Sequence, residues 1–210
     1  MEQQYMNRVD TTTETTINKS RFIAYIQRTD SEEAAKSFIN SIKSRHKDAN
    51  HNCSAYILTQ SALIQKADDD GEPSGTAGVP ILEVLKREGL YNVTVVVTRY
   101  FGGIKLGAGG LIRAYSGAAS DAVNAAGKVV EIDMIPYRIT MDYTYTNRFE
   151  HELEASGIAI SDTVYTDKVT YLVHVEEDAR GAFLDRVQEI TKDTATLEEM
   201  EMIQAESPVE

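Results

Sequence analysis

The chain is poor in the residues that staple, kink or anchor a protein. Of its 210 residues one is cysteine, four are proline and none is tryptophan. A lone Cys53 forms no internal disulfide, which excludes a disulfide-framed secreted scaffold and fits a reducing compartment. No apolar run approaches the roughly 18 residues of a membrane span. Met1 to Asp10 has no apolar signal core, so a cytoplasmic protein without membrane contact is expected. His46, His51, His151 and His174 are scattered without zinc spacing. Neither a Gly-Lys-Ser/Thr phosphate loop nor a Gly-x-Ser-x-Gly elbow occurs. Positive charge is scarce as well: 21 Lys+Arg against 33 Asp+Glu leave a formal charge of −12. That sign argues against a protein that coats polyanions regardless of sequence.

The deficit is uneven. Residues 1–133 hold 15 Lys+Arg and 16 Asp+Glu, a balance of −1, whereas residues 134–210 hold 6 and 17, a balance of −11. Glycine is uneven too, with 11 of 13 lying between Gly71 and Gly127. Near Asp133-Met134-Ile135-Pro136 the texture changes to alternating strands. Two domains are therefore expected, 1–133 and 134–210.

In the first, Ser20 to Gln27 reads as a strand. Asp30 with Glu33 reads as a capping box opening a helix to about Ser44. Strands follow near Asn52–Thr59 and Ala62–Lys66, then a short helix from Pro80 stopped by Gly89. Asn92–Tyr100, with Val93, Val95, Val96 and Val97, has the texture of a buried central strand. An alanine-rich helix from about Gly110 to Ala126 comes next. In the second domain, strand, helix, two strands, helix and strand succeed one another. They run from the Tyr137–Tyr145 alternation to a last strand at Ala195–Ile203, with a frayed end after it. This βαββαβ order is the ferredoxin-like arrangement.

Against the acidic background, Arg99 to Arg113 holds three cations, five glycines and no acid. Glycine lets a ligand come close to bare N–H groups, and a helix start adds its positive end. Arg99, Gly102, Gly103, Lys105, Gly107, Gly109, Gly110 and Arg113 thus form a candidate anion or nucleic-acid site. Ser74 and Thr76 stand before the short helix as a second anion-friendly start. The competing structural reading is that the glycines permit tight packing while the cations bond to nearby acids. Asp68-Asp69-Asp70-Gly71-Glu72 puts four acids in five residues. That turn would be solvated, hold a hard cation, or pair with the basic loop. His51 and Cys53 share one face of their strand, a spacing that invites a thiolate reading, although a lone cysteine beside Ala55, Tyr56 and Ile57 is usually core.

Three segments together resemble the IMPACT family, best its bacterial YigZ-type branch. They are His51-Asn52-Cys53-Ser54-Ala55-Tyr56, the stretch from Asp69-Asp70-Gly71-Glu72-Pro73 to Gly78, and the stretch from Thr98-Arg99-Tyr100 to Tyr115. The resemblance implies an α+β protein with a ribosomal protein S5 domain 2-like first domain. The implied second domain is ferredoxin-like and similar to those of elongation factor G. Eukaryotic members regulate translation. For this chain the resemblance implies a non-enzymatic, translation-associated regulator binding RNA or the ribosome through the basic glycine loop. His51, Cys53, Asp69, Asp70 and Glu72 fall on the same motif surface. No catalytic residue, metal or cofactor is carried over. An enzyme holding a metal at the acidic turn and a small phosphorylated substrate at the loop is the first alternative. A regulator that binds only protein, through the acidic C-terminal domain, is the second.

Overall fold

Val93, Val95, Val96 and Val97 are fully buried because the strand carrying them is covered on both faces. A computed structural model describes residues 4–59 and 63–209, and within these the chain forms two units, one of the residues up to Val130 with Pro208 and Val209, the other Glu131–Ser207. The first unit contains β1 (Met6–Asn7), β2 (Thr11–Ile17), β3 (Ser20–Arg28), α1 (Glu32–Arg45), β4 (His51–Leu58), β5 (Ile64–Asp68), α2 (Gly78–Arg87), β6 (Val93–Tyr100) and α3 (Gly107–Ala126). Its main sheet is antiparallel throughout, in the order β2-β3-β6-β4-β5.

Strand parity sorts the side chains between two layers. Phe22, Ala24, Cys53, Ala55, Val93, Val95 and Val97 pack under α2 and α3, whose Leu85, Ala118 and Ala122 come close to the sheet. Ile23, Tyr25 and Val96 pack against Ile42 and Phe38 of α1 on the opposite face. Each buried Val or Ile in these layers contributes about 1.5–3 kcal/mol by leaving water.

β7 (Lys128–Met141) leads into the second unit, which continues with α4 (Thr146–Ala155), β8 (Ile160–Tyr165), β9 (Val169–Glu176), α5 (Arg180–Thr191), β10 (Thr196–Glu199) and β11 (Ile203–Val209). The order β10-β7-β9-β8, antiparallel throughout, is that of the ferredoxin-like fold. Ile139, Tyr171 and Val173 pack under Phe149, Leu153, Phe183 and Val187 of the two helices.

Four local expectations change. Ser31, not Asp30, caps α1, its hydroxyl accepting from the Ala34 N–H at 3.3 Å. β2 was not expected, because Thr11–Thr16 holds no apolar residue to mark a strand. The last strand is two, β10 and β11, so residues up to Val209 are paired rather than frayed. α3 begins at Gly107, a turn earlier than Gly110, which puts three loop glycines into its first turn. Ala62 of the expected strand before the acidic turn lies outside the described residues.

Candidate functional site

Arg99 follows Val93, Val95 and Val97 in parity, so its side chain enters the layer under α2 and α3. It is 5% exposed. Its Nη1 donates to Glu72 Oε1 at 2.6 Å and its Nη2 to Ser20 Oγ at 3.3 Å, while its guanidinium lies 5.4 Å from the Phe22 and Phe101 ring centres. Glu72, equally buried, also accepts from the Tyr115 hydroxyl at 2.8 Å and faces His51 Nε2 at 3.9 Å. A buried guanidinium is tolerable only with such a partner. The sequence expectation that Arg99 binds an external anion is therefore corrected: the acidic turn already neutralises it.

The second anion-friendly start is corrected for a similar reason. The amides of Gly75, Ala77 and Gly78 donate to the Asp69 carboxylate at 2.8, 3.0 and 2.8 Å. Burial raises the Asp69 pKa, but the three backbone donors outweigh it and hold the carboxyl below its ordinary value. Thr76 is buried, its hydroxyl donating to the Pro73 carbonyl at 2.6 Å. Ser74 alone of that group is exposed.

The remaining acids of the turn diverge. Asp70 accepts from Lys43 Nζ at 2.6 Å and from the Asn52 N–H at 2.7 Å, tying the turn to α1 and β4. Asp68 lies 3.7 Å from the same ammonium. Asp69 thus faces backbone amides, Asp70 a lysine and Glu72 an arginine. Among the described residues no three His, Cys, Asp or Glu side chains converge on a point where a metal would sit.

His51 and Cys53 stand on one strand face without bonding to each other. His51 Nδ1 donates to the Asp70 carbonyl at 2.9 Å and the Cys53 thiol to the Asp69 carbonyl at 3.0 Å. Burial, with Glu72 and Asp70 nearby, pushes the Cys53 thiol well above its ordinary pKa. The arrangement does not generate a thiolate near neutral pH.

What stays open is the far half of the basic stretch. Gly102 marks its root: a Cβ there would stand 2.0 Å from the Lys19 backbone carbon, so only glycine allows this approach. The Gly102 N–H donates to Ser20 Oγ at 3.3 Å and the Phe101 N–H to Asn50 Oδ1 at 2.8 Å. Beyond this latch Gly103, Lys105, Gly107, Gly109 and Arg113 are exposed, and Gly110 half-buried. Gly107 opens α3 with φ +70°, a conformation that other residues resist. The first turn of this 20-residue helix has no acid, and its N-cap residue, Leu106, offers no side-chain bond. Its leading N–H groups face outward with the positive end of the helix. Arg113 folds back along that turn, Nη1 lying 3.7 Å from where a Gly109 Cβ would be. Among the described residues Lys105 and Arg113 form no ion pair with a carboxylate. Phe101, Ile104 and Ile112 flank them, each just over 40% exposed. Tyr115 is buried and the Tyr100 hydroxyl meets His46 Nδ1 at 2.8 Å, so Phe101 is the aromatic that reaches this surface.

Sequence reasoning missed Ser20, Asn50 and Lys43 as supports. They lie far along the chain from what they hold, and no local pattern announces them. Arg99 did carry a signal, since it shares its parity with the core valines.

Fold and site together define a two-domain α+β protein, S5 domain 2-like then ferredoxin-like, with a cationic helix start on the first domain. The Impact N-terminal domain matches residues 18–123 and a domain of unknown function, DUF1949, matches residues 139–194. The chain belongs to the IMPACT family. It is 45% identical to the IMPACT family member YvyE of Bacillus subtilis, over 93% of this chain and 90% of that one. The IMPACT family member YigZ of Escherichia coli is 41% identical over 60% of this chain and 63% of its own. A solved structure titled "Crystal structure of an hypothetical protein" is 32% identical with a TM-score of 0.60, covering 96% of this chain and 98% of that one. The chain is also 38% identical to the Protein IMPACT homolog of Saccharomyces cerevisiae, over 42% of this chain and 35% of that one. No helix among the described residues is long and apolar enough to cross a membrane.

Proposed function

We propose that this IMPACT family chain is a non-catalytic, translation-associated regulator in the cytoplasm that binds RNA, free or in the ribosome. The binding surface is the start of α3, with Lys105 and Arg113. The observation that carries the reading is the acid-free, uncapped first turn of α3 beside two exposed cations that form no ion pair among the described residues. A phosphate oxygen there accepts from the outward N–H groups while Lys105 and Arg113 supply charge. Exposed Phe101 offers a ring for an unpaired base, and single strands suit such stacking. With two cations at this surface, affinity is modest and falls with salt at a log–log slope of roughly 1.4 on a single strand.

The test is co-sedimentation of the full chain with ribosomes and with total RNA at low salt, with and without ribonuclease. The chain is expected in the pellet, released by ribonuclease or by raised salt, and depleted from it by Lys105→Ala with Arg113→Ala. Retention after ribonuclease, or indifference to the double substitution, contradicts the reading.

A further inference from the structure

A groove of about 850 Å³ opens in the second unit between α4, α5 and the end of β9. Its floor is the apolar layer of Phe149, Leu153, Phe183 and Val187, and Gly157, Ala159 and Ala182 add little bulk to its walls. Its charged lining is four carboxylates, Glu152, Glu176, Asp185 and Glu189, and one cation, Arg186. That cation is engaged on both sides, Nε donating to Glu152 at 2.6 Å and Nη1 to Glu189 at 2.9 Å. Glu176 and Asp185 have no ion pair among the described residues. An apolar trough edged by unanswered negative charge is thus built into the part of the chain whose balance is −11.

We propose that this groove is the docking site for a cationic amphipathic segment of a partner protein. Apolar side chains at i, i+3 and i+4 spacing rest on the Phe149–Phe183 floor, while lysines or arginines reach Glu176 and Asp185. The charge decides the occupant. A nucleic acid is repelled by these acids, a second copy of this chain brings −12 of its own, and an uncharged ligand leaves the carboxylates unanswered. The inference is independent of the RNA reading, because its residues belong to the other unit.

The experiment uses the full chain and a labelled synthetic peptide with leucines at helical spacing and lysines between them, followed by fluorescence anisotropy. Two comparison peptides keep the leucines but carry glutamate, or keep the composition with the order scrambled. The lysine amphipath is expected to bind, and the glutamate form not to. The scrambled form should bind weakly. Ala182→Trp, which fills the groove without altering charge, and Glu176→Gln with Asp185→Asn, which leave its shape, are each expected to weaken binding by about tenfold, a loss of about 1.4 kcal/mol. All three positions are exposed, and an unchanged thermal midpoint shows that each variant is folded. No binding, equal binding of the scrambled peptide, or indifference to Ala182→Trp overturns the proposal. A concentration-dependent dimer that Ala182→Trp abolishes overturns it in favour of a second copy.

Discussion

Arg99 and Arg113 close the two ends of one glycine-rich stretch, and the structure gives them opposite fates. Arg99 extends a buried strand on the parity of its core valines and ends against Ser20 and against Glu72, which also accepts from the Tyr115 hydroxyl. Arg113 sits in the second turn of α3 on the solvent side, and Lys105 is exposed just before the helix begins. Cations of one sequence cluster are therefore different physical objects. One is a structural charge that tolerates burial through its partner, and the other two are available charges whose field reaches solvent. The acidic turn causes the split, because Glu72 and Asp69 satisfy from within the two places where an outside anion was expected first.

The comparison is broken most forcefully at Glu72. Glu72→Ala strands the Arg99 guanidinium in the core, and urea unfolding should show a loss of about 3–5 kcal/mol. Replacing both partners, Arg99→Met with Glu72→Leu, should recover much of that loss. A single-site loss under about 1 kcal/mol would mean that the pair is not the structural anchor of this corner.

Gly102→Ala comes next, since its Cβ collides with the Lys19 backbone rather than with a movable side-chain tip. A loss of about 1–3 kcal/mol is expected, with the latch to Ser20 weakened. An unchanged unfolding midpoint would detach the loop root from the turn before β3.

Asp69→Asn should cost about 1–3 kcal/mol at neutral pH, because the amide oxygen keeps neutral bonds to the Ala77 and Gly78 N–H groups while its NH2 cannot accept from the Gly75 N–H. The folded carboxyl titrates below its ordinary 3.8, so its stabilisation is complete above that pH and disappears as pH falls through the folded value. In Asp69→Asn the acid limb of a stability–pH curve should flatten. A limb as steep as that of the unsubstituted chain would assign acid sensitivity elsewhere.

The smallest effect on stability belongs to the open cations. Lys105→Ala and Arg113→Ala should each move the unfolding free energy by under about 0.5 kcal/mol, since both are exposed and neither forms an ion pair among the described residues. That indifference, set beside the loss at Glu72, is the comparison in its sharpest form.

The sequence revealed some of these features more readily than others. The ferredoxin-like order was legible because Tyr137 to Met141 alternate cleanly and two helices with apolar faces separate the strands. The valine run announced β6. The acid-free stretch pointed to the right neighbourhood for a cationic surface. Parity could have withdrawn Arg99, but Glu72 lies 27 residues away and its approach depends on the turn after β5. The Asp69 cradle was equally hidden, because Asp69 reaches the start of α2 from 9 residues upstream, where no capping pattern operates. β2 escaped because threonines carry its alternation in place of apolar side chains.

The most direct trial of the central claim is the salt dependence of single-stranded RNA binding by the full chain and by Lys105→Ala with Arg113→Ala. The unsubstituted chain should lose affinity as salt rises, with a log–log slope of at least roughly 1.4. The double variant should bind more weakly with a slope shallower by roughly 1–1.5, the counterions released at two phosphates. Coincident slopes and affinities would show that the mouth of α3 is not where the negative partner is held.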